Sequence, residues 1–257
     1  MRVRVSIELP LSPRPEPVRS EATSLFEEAF RTLRSNLLLR MRQGDKAFLV
    51  TSARPGEGKS TIVVNLAHVI AAGNRKVLLV DADLRRPRLH ELFSLRNRQG
   101  LTDLLTGGVA PKVVYQRIEN GLTVLTSGPL ARDPQELLLG GNLESIVSQF
   151  KSDFDVVLFD SAPVLAFADT TLLAPKMDGL ILALKSGEVT TTEAMVVRER
   201  LQSVRARLVG CVLTYVPQQH MQPYHPYASE YVKDAAPVAR ADSQSTRTLT
   251  PAQEAKS

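Results

Sequence analysis

The stretch AFLVTSARPGEGKSTIVVNLAHVIAA, residues 47–72, decides the fold of this 257-residue chain. Its first six residues form a mostly apolar run of strand length, and its last twelve repeat apolar residues at helical spacing. Between them lies a loop of small residues, with glycines at positions 56 and 58. A strand, a glycine loop and a helix in this order predict a βα unit of a parallel sheet.

The loop at residues 53–60 has the chemistry that a triphosphate requires. Backbone N–H groups at the start of a helix, together with the positive end of the helix dipole, bind phosphate oxygens. Gly56 and Gly58 allow close backbone approach, Lys59 can reach the β and γ phosphates, and the Ser60 hydroxyl can ligate Mg²⁺. The residues predicted to bind ATP are Ala53, Arg54, Pro55, Gly56, Glu57, Gly58, Lys59, Ser60 and Thr61.

Acidic residues follow two further apolar runs. Asp160 ends the run DVVLF, and Asp81 and Asp83 end the run VLLV in the stretch VLLVDADLRRP. In a doubly wound sheet the carboxyl ends of the strands meet at the edge where ligands bind. Three carboxylates around Mg²⁺-ATP permit hydrolysis or phosphoryl transfer, because one can accept a proton from an incoming hydroxyl. We expect Arg85 to stabilise the charge on the transferring phosphoryl group.

The rest of the chain alternates between predicted strands and helices. Continuous apolar strands separated by helices indicate an α/β fold with a mostly parallel, doubly wound sheet covered by helices on both faces. This is the fold of P-loop NTPases. Strands are predicted at 47–52, 76–80, 122–126, 155–159, 179–184 and 208–214. Helices are predicted from Ser24, where Glu27 completes a capping box, through Met41, and at 60–72, 134–139, 143–151 and 191–204.

Both ends of the chain lack this periodicity. Residues 1–20 are rich in proline and charge and predict a flexible N-terminal arm, and residues 217–257 predict a disordered tail. The domain between them is predicted to span 21–216. Three tyrosines, Tyr224, Tyr227 and Tyr231, lie close together in the tail, where prolines favour an extended chain that presents their phenols. They are candidate phosphate acceptors, and an aromatic patch that docks on a partner is the competing interpretation.

Composition limits the possible classes. The net charge is +5, but 32 basic residues face 27 acidic ones, which favours a mixed solvated surface over nucleic-acid binding. Apolar runs fall far short of the roughly 20 residues that span a bilayer. The single cysteine, Cys211, excludes a disulfide within the chain. We therefore expect a cytoplasmic protein that binds no nucleic acid.

Three motifs together resemble those of the bacterial tyrosine kinases that govern capsule and exopolysaccharide synthesis. They are the nucleotide loop ARPGEGKST, the second acidic motif VLLVDADLRRP and the strand-end motif VVLFDSAP. Glu28, Arg31 and Arg34 also match the family's E-x-x-R-x-x-R element. The resemblance covers about residues 24–216 and the tail, and the second acidic motif is its most specific part.

The resemblance implies a cytoplasmic kinase that phosphorylates tyrosines in the tail of a neighbouring subunit. It implies that Lys59 contacts the phosphates, that Ser60, Asp81 and Asp160 arrange Mg²⁺, and that Asp83 or Asp81 activates the phenol. The helix with the E-x-x-R-x-x-R element would join subunits into a homo-oligomeric ring. A separate membrane-bound polysaccharide co-polymerase would activate the kinase and recruit it to the inner face of the plasma membrane.

Two other functions stay open from the sequence. The first is a partitioning or division-site ATPase, a nucleotide switch without kinase activity. Such proteins typically carry a lysine early in the loop, and residues 53–56 contain none, which favours the kinase. The second is an assembly scaffold that is held together by the Glu28–Arg34 element and regulated by bound ATP.

Overall fold

The computed structural model of the chain describes residues 4–7, 21–118, 120–140 and 142–217, with the backbone alone for 4–7 and 21–25. The chain divides into two compact units, Met1–Met221 and Gln222–Ser257. The second unit lies outside the described residues, so the fold that follows is that of the first unit.

One mostly parallel sheet forms the centre of this unit. Its strands, within the described ranges, are β1 (Arg4–Ile7), β2 (Ala47–Ser52), β3 (Val77–Ala82), β4 (Gln116–Arg117), β5 (Leu122–Leu125), β6 (Val156–Ser161), β7 (Gly179–Lys185) and β8 (Leu208–Thr214). Their order across the sheet is β1-β8-β7-β2-β6-β3-β5-β4. Each neighbouring pair is parallel except β4 with β5, which is antiparallel. The predicted α/β class with a doubly wound sheet is confirmed.

Helices cover both faces of the sheet. They are α1 (Glu21–Arg40), α2 (Lys59–Ala71), α3 (Leu89–Leu92), α4 (Leu101–Leu105), α5 (Pro111–Val114), α6 (Pro134–Gly140), α7 (Leu143–Asp153), α8 (Asp169–Leu173) and α9 (Thr191–Ser203). Because successive side chains of a strand point to opposite faces, Phe48 of β2 belongs to the apolar cluster that contains α1 and α2, whereas Leu49 belongs to the cluster that contains α4, α7 and α9. The central strands are buried on both faces, which explains why their sequences read as continuous apolar runs.

Each of the six predicted strands is present, with ends that differ by at most two residues. Strand β4 has only two residues and was not predicted from the sequence. The short helices between β3 and β5 were not predicted either, because their four or five residues are too few to show a helical period. The predicted start of α1, Ser24, lies three residues after the observed start, Glu21. Phe30, Leu33 and Leu37, which recur at helical spacing along α1, are buried.

The predicted N-terminal arm needs one correction. Residues Arg4–Ile7 form β1, which pairs in parallel with β8, from Arg4 beside Cys211 to Ile7 beside Thr214. This segment is too short to show a strand periodicity in the sequence, but Val5 and Ile7 are β-branched and favour a strand. Backbone pairing with the exposed edge of β8 supplies the hydrogen bonds that so short a segment cannot make alone. The other residues of 1–20 lie outside the described residues.

In the part of the chain that the structure describes, no helix combines the length and the apolar character needed to cross a membrane.

The start of α4 is bonded closely to the end of β5. The N–H of Leu101 donates to the Thr126 carbonyl oxygen at 2.9 Å, and the N–H of Thr102 donates to the Ser127 carbonyl oxygen at 2.9 Å. A Cβ at Gly100 would lie 2.1 Å from the Thr126 oxygen and 2.3 Å from the Gly128 nitrogen. Only glycine allows this approach, which holds the segment before α4 against the sheet edge.

We predict that Gly100→Ala lowers the free energy of unfolding by about 2–3 kcal/mol, because the backbone must shift to admit the methyl group. Urea denaturation followed by circular dichroism measures this. The control is Gly140→Ala, since a Cβ at Gly140 meets no atom within 4 Å. Equal midpoints for the two variants would contradict the packing argument.

At the opposite edge of the sheet, Asp178 joins β2, β7 and α7. Its Oδ2 accepts the N–H groups of Lys46 and Ala47, each at 2.8 Å, and its Oδ1 lies 2.7 Å from the Lys151 ammonium. Burial favours the neutral acid, but these backbone donors and the ammonium outweigh it and hold the pKa of Asp178 below its ordinary value. The ionised carboxylate therefore stabilises the fold.

We predict that Asp178→Asn lowers the free energy of unfolding by about 1–3 kcal/mol at pH 7. Because the pKa is depressed in the folded chain, the carboxylate's contribution is full above the unfolded pKa of about 4 and disappears as the pH falls through the folded pKa. The gap between variant and wild type should shrink below about pH 4. Urea titrations at several pH values test this, with the exposed Glu136→Gln as control; a gap that does not change with pH would refute it.

Candidate functional site

The glycine loop lies between β2 and α2, as predicted. Gly56 has a φ of 84° and Gly58 a φ of 83°, both in the left-handed region that side chains with a Cβ rarely adopt. Gly58 caps α2 without any side-chain hydrogen bond, and the first turn of α2 carries no acidic residue. The N–H groups at the start of a helix have no intrahelical partner. The loop therefore offers donors and a positive dipole end to an anion.

The buried side chain of Glu57 holds the glycine loop together through hydrogen bonds. Its side chain is 1% exposed, and its Oε2 accepts the N–H groups of Ala53 at 2.8 Å and Arg54 at 3.0 Å. The Thr214 hydroxyl, at the end of β8, donates to the Glu57 carbonyl oxygen at 3.0 Å. Burial raises the pKa of Glu57, although the two backbone donors oppose it. The sequence predicted Glu57 only as a loop residue, and the structure adds that it ties the start of the loop to its middle and to β8.

Lys59 extends from α2 toward two carboxylates. Its ammonium lies 3.0 Å from Oδ2 of Asp83 and 3.6 Å from Oδ1 of Asp160, and its side chain is 12% exposed. Burial lowers the pKa of Lys59, but Asp160 and Asp83 outweigh it and hold the pKa above its ordinary value. Lys59 is therefore a charged lysine at the floor of the site.

Asp81 and Asp160 lie opposite each other in register on β3 and β6. Oδ2 of Asp81 accepts the N–H groups of Arg88 at 3.0 Å and Leu89 at 2.9 Å. Burial, and then the nearby Asp160 charge, raise the pKa of Asp81 to about 8. Burial also raises the pKa of Asp160, against the opposing effects of the Lys59 ammonium and the Ser60 hydroxyl.

Two buried oxygens at this point have no hydrogen-bond donor among the described residues: Oδ1 of Asp81 and Oδ1 of Asp160. A buried, unpartnered carboxylate oxygen is costly. Three carboxylates here share one ammonium, so a divalent cation would balance the charge, and Mg²⁺ prefers such oxygen ligands. Within the described ranges no group of three or more His, Cys, Asp or Glu residues is arranged to hold a metal unaided. The donor set therefore fits a magnesium ion that arrives with phosphate oxygens as further ligands.

Arg85 is paired with a buried carboxylate. Its Nε and Nη2 donate to the two oxygens of Asp169 at 2.7 Å and 3.0 Å, and its guanidinium carbon lies 4.3 Å from the centre of the Phe167 ring. Asp169 is 1% exposed. Arg85 thus fixes the segment between β6 and α8 against the segment after β3. Asp169 and Phe167 were not predicted as site residues, because nothing in their local sequence indicates a partner more than 80 residues away.

A second ion pair ties the loop to α9. Arg54, which is half exposed, pairs with Glu193 in the first turn of that helix. The Glu193 side chain also accepts the N–H of Thr190 and completes the capping box of α9. The P-loop is thus bound on one side by β8 and on the other by α9.

The remaining predicted site residues lie elsewhere. On α1, Arg31 is 3.3 Å from Glu28 and 3.4 Å from Glu27, and all three side chains are more than half exposed. Arg34 instead donates to the Val69 carbonyl oxygen of α2 at 2.9 Å. The predicted phosphate acceptors Tyr224, Tyr227 and Tyr231 lie outside the described residues.

Comparisons with known proteins agree with this geometry. Residues 46–208 match the AAA domain family. The chain is 39% identical over 196 residues to the tyrosine-protein kinase YwqD of Bacillus subtilis, covering 76% of this chain and 83% of that protein. Several other tyrosine-protein kinases that it matches are longer, and the chain spans about a quarter of their length.

Comparisons with solved structures also indicate a tyrosine kinase domain. The kinase domain of the Escherichia coli tyrosine kinase ETK superposes with a TM-score of 0.76 at 28% identity, covering 82% of this chain and 89% of that domain. The cell division ATPase MinD of Pyrococcus furiosus gives a TM-score of 0.54 at 23% identity, covering 65% and 71%, and shares the fold alone. The partitioning ATPase is therefore the less favoured alternative. By its three motifs, its fold and its similarity to YwqD over most of both chains, this protein belongs to the bacterial protein-tyrosine kinases.

Proposed function

We propose that this chain transfers the γ-phosphoryl group of Mg²⁺-ATP to tyrosine residues, among them Tyr224, Tyr227 and Tyr231 of its own tail. The observation that carries the proposal is the pairing of Lys59 with Asp83 and Asp160 beside the open N-terminus of α2. A phosphate-binding helix end alone would suit many nucleotide-binding proteins. Asp81 and Asp83, at the end of β3, supply the proton acceptor that transfer to a hydroxyl requires.

The residues of the site have different roles in this reaction. The loop N–H groups and Lys59 hold the phosphates, while Ser60, Asp81 and Asp160 would hold Mg²⁺ through their oxygens. The ion, when bound, neutralises charge that develops on the phosphate oxygens. The phenol oxygen bonds to the γ phosphorus as the bond from that phosphorus to the ADP oxygen breaks. The phenol proton passes to a carboxylate, and either Asp83 or Asp81 can accept it.

The E-x-x-R-x-x-R element on α1 is proposed to join subunits into a ring. Glu28 and Arg31 are exposed and have only each other and Glu27 as charged partners within the described chain. They are thus available to a neighbouring subunit. Arg34 has an internal role, because it bonds to α2.

The partner and the cellular place are proposed from family membership. Relatives include a putative tyrosine-protein kinase encoded in a cps region of Klebsiella pneumoniae. We infer that the chain regulates capsule or exopolysaccharide synthesis. A membrane-bound polysaccharide co-polymerase would activate it and recruit this cytoplasmic kinase to the inner face of the plasma membrane.

We predict that the purified chain becomes phosphotyrosine-positive with Mg²⁺ and ATP, and that Lys59→Met lowers the rate by about 100-fold or more, because the site loses the ammonium that would bind the phosphates. Mass spectrometry of the tail locates the phosphate on Tyr224, Tyr227 or Tyr231. Lys112→Met, at an exposed lysine of α5, is the matched control. ATP hydrolysis by the wild type without any phosphotyrosine would replace the kinase by the nucleotide switch.

We predict that Glu28→Ala with Arg31→Ala disperses the oligomer, whereas the melting temperature changes little because the lost pairs are exposed. Light scattering measures the mass. Arg34→Ala is made separately, since it also removes a bond to Val69 and is expected to lower stability. If the mass of the double variant equals that of the wild type, the ring contact lies elsewhere.

A further inference from the structure

The segment LRRPRLHELFSLRNRQG, residues 84–100, carries five arginines and a single glutamate, Glu91. Arg85 is paired with Asp169. The other four arginines, which we call the arginine rim, are exposed: Arg86, Arg88, Arg96 and Arg98. Across the described residues, no carboxylate lies within 4.0 Å of any of these four guanidinium groups. The reaction proposed above does not use them.

The first half of the rim begins at the site itself. The N–H of Arg86 donates to Oδ1 of Asp83 at 3.0 Å, and the N–H of Arg88 donates to Oδ2 of Asp81 at 3.0 Å. The carboxylates of the site therefore fix the backbone from which these two side chains extend. Both arginines follow the carboxyl end of β3.

The second half of the rim is anchored to β4 and to the segment that follows β5. The Arg96 carbonyl oxygen accepts from the Gln116 side chain at 2.9 Å and from the Thr126 hydroxyl at 3.3 Å. Oδ1 of Asn97, which lies between Arg96 and Arg98, accepts the N–H of Gly128 at 2.8 Å. Because β3 and β5 are parallel neighbours, all four arginines lie at the same edge of the sheet as the acidic site.

The charges at this edge of the sheet influence which tyrosine-containing peptides bind. The phenol of a tyrosine is neutral at pH 7, so an electrostatic preference for one tyrosine over another must come from its neighbours. The carboxylates at the floor of the site repel acidic peptides. The four guanidinium groups of the arginine rim, at the same edge of the sheet, attract acidic peptides. A guanidinium group also fits a carboxylate through two parallel hydrogen bonds.

We propose, resting on the kinase function above, that the arginine rim selects tyrosines that have carboxylates beside them. The preferred substrate class is a peptide with Asp or Glu within about three residues of the acceptor. In the chain's own tail, Tyr231 directly follows Glu230 and precedes Asp234 by three residues, whereas Tyr224 has no acidic residue within three positions. Tyr231 is therefore favoured over Tyr224, and Tyr227, with Glu230 three residues on, is intermediate.

The test compares two synthetic peptides as substrates. One has the sequence of residues 227–235 with Tyr227→Phe, so that Tyr231 is its only acceptor. The other also carries Glu230→Lys and Asp234→Lys. The enzyme is the full chain with Tyr224→Phe, Tyr227→Phe and Tyr231→Phe, so that its tail does not compete. An exposed ion pair changes an affinity by up to about fivefold, so we expect kcat/KM to be roughly tenfold higher for the acidic peptide.

Charge reversal on the enzyme tests where the preference arises. Arg96→Glu with Arg98→Glu should abolish or invert the preference and leave the KM for ATP unchanged. Neutral Arg96→Ala with Arg98→Ala should weaken the preference in the same direction. The control is Arg75→Glu, because Arg75 is exposed but precedes β3 and so lies at the opposite edge of the sheet. High salt should reduce the preference of the wild type, because exposed charges are screened.

The outcomes separate this inference from the function on which it rests. If no peptide is phosphorylated and the wild-type chain gains no phosphotyrosine, the kinase function itself fails. If the enzyme with an intact rim phosphorylates both peptides equally, or phosphorylates only its own tail, the kinase stands and the rim inference is overturned. It is also overturned if the rim variants keep the preference, or if they lose only binding to anionic phosphatidylglycerol vesicles, since the rim would then be a membrane-facing surface.

Discussion

The contact of the Lys59 ammonium with the carboxylates of Asp83 and Asp160 depends on the order of strands in the sheet. Lys59 begins the helix after β2, Asp83 follows β3, and Asp160 lies on β6, which runs between β2 and β3. Strands distant in sequence thus bring opposite charges within 3.0–3.6 Å at one edge. Buried carboxylates without a nearby cation would be strongly destabilising. The ammonium therefore stabilises the buried carboxylates, and the same group is available to phosphates when a nucleotide brings its own cation.

The glycine loop depends on a different carboxylate. Glu57 and Thr214 tie the loop to itself and to β8, while Arg54 ties it to α9 through Glu193. These contacts use side chains and the N–H groups at the start of the loop. The helix-end donors after Gly58 are left for a ligand, since Gly58 has no side chain to cap them. A loop that is already formed loses less conformational entropy when it binds.

Much of this arrangement could be predicted from sequence, because its signals are local. Within about ten residues, the sequence already indicates the glycines, Lys59 and the acidic residues at 81, 83 and 160 that end apolar runs. Partners that are distant in sequence cannot be recognised in this way. Asp169 has no local feature that marks it as the partner of Arg85, and Glu57 reads as a solvent-facing loop residue until the fold shows it to be buried. Strand β1 was missed because four residues acquire their structure only from the neighbouring edge of β8.

Asp81 and Asp83 each use one carboxylate oxygen to hold the backbone of the following segment and present the other oxygen to the site. Asp81 uses Oδ2 to accept two N–H groups of the following segment and leaves Oδ1 unpartnered, and Asp83 uses Oδ1 for the Arg86 N–H and Oδ2 for Lys59. Asparagine has a single acceptor oxygen, so it could not do both at either position. The geometry that presents oxygens to a cation therefore also sets the path of the chain that carries Arg86 and Arg88. In this fold, the position of the first half of the arginine rim, Arg86 and Arg88, follows from the position of the acids.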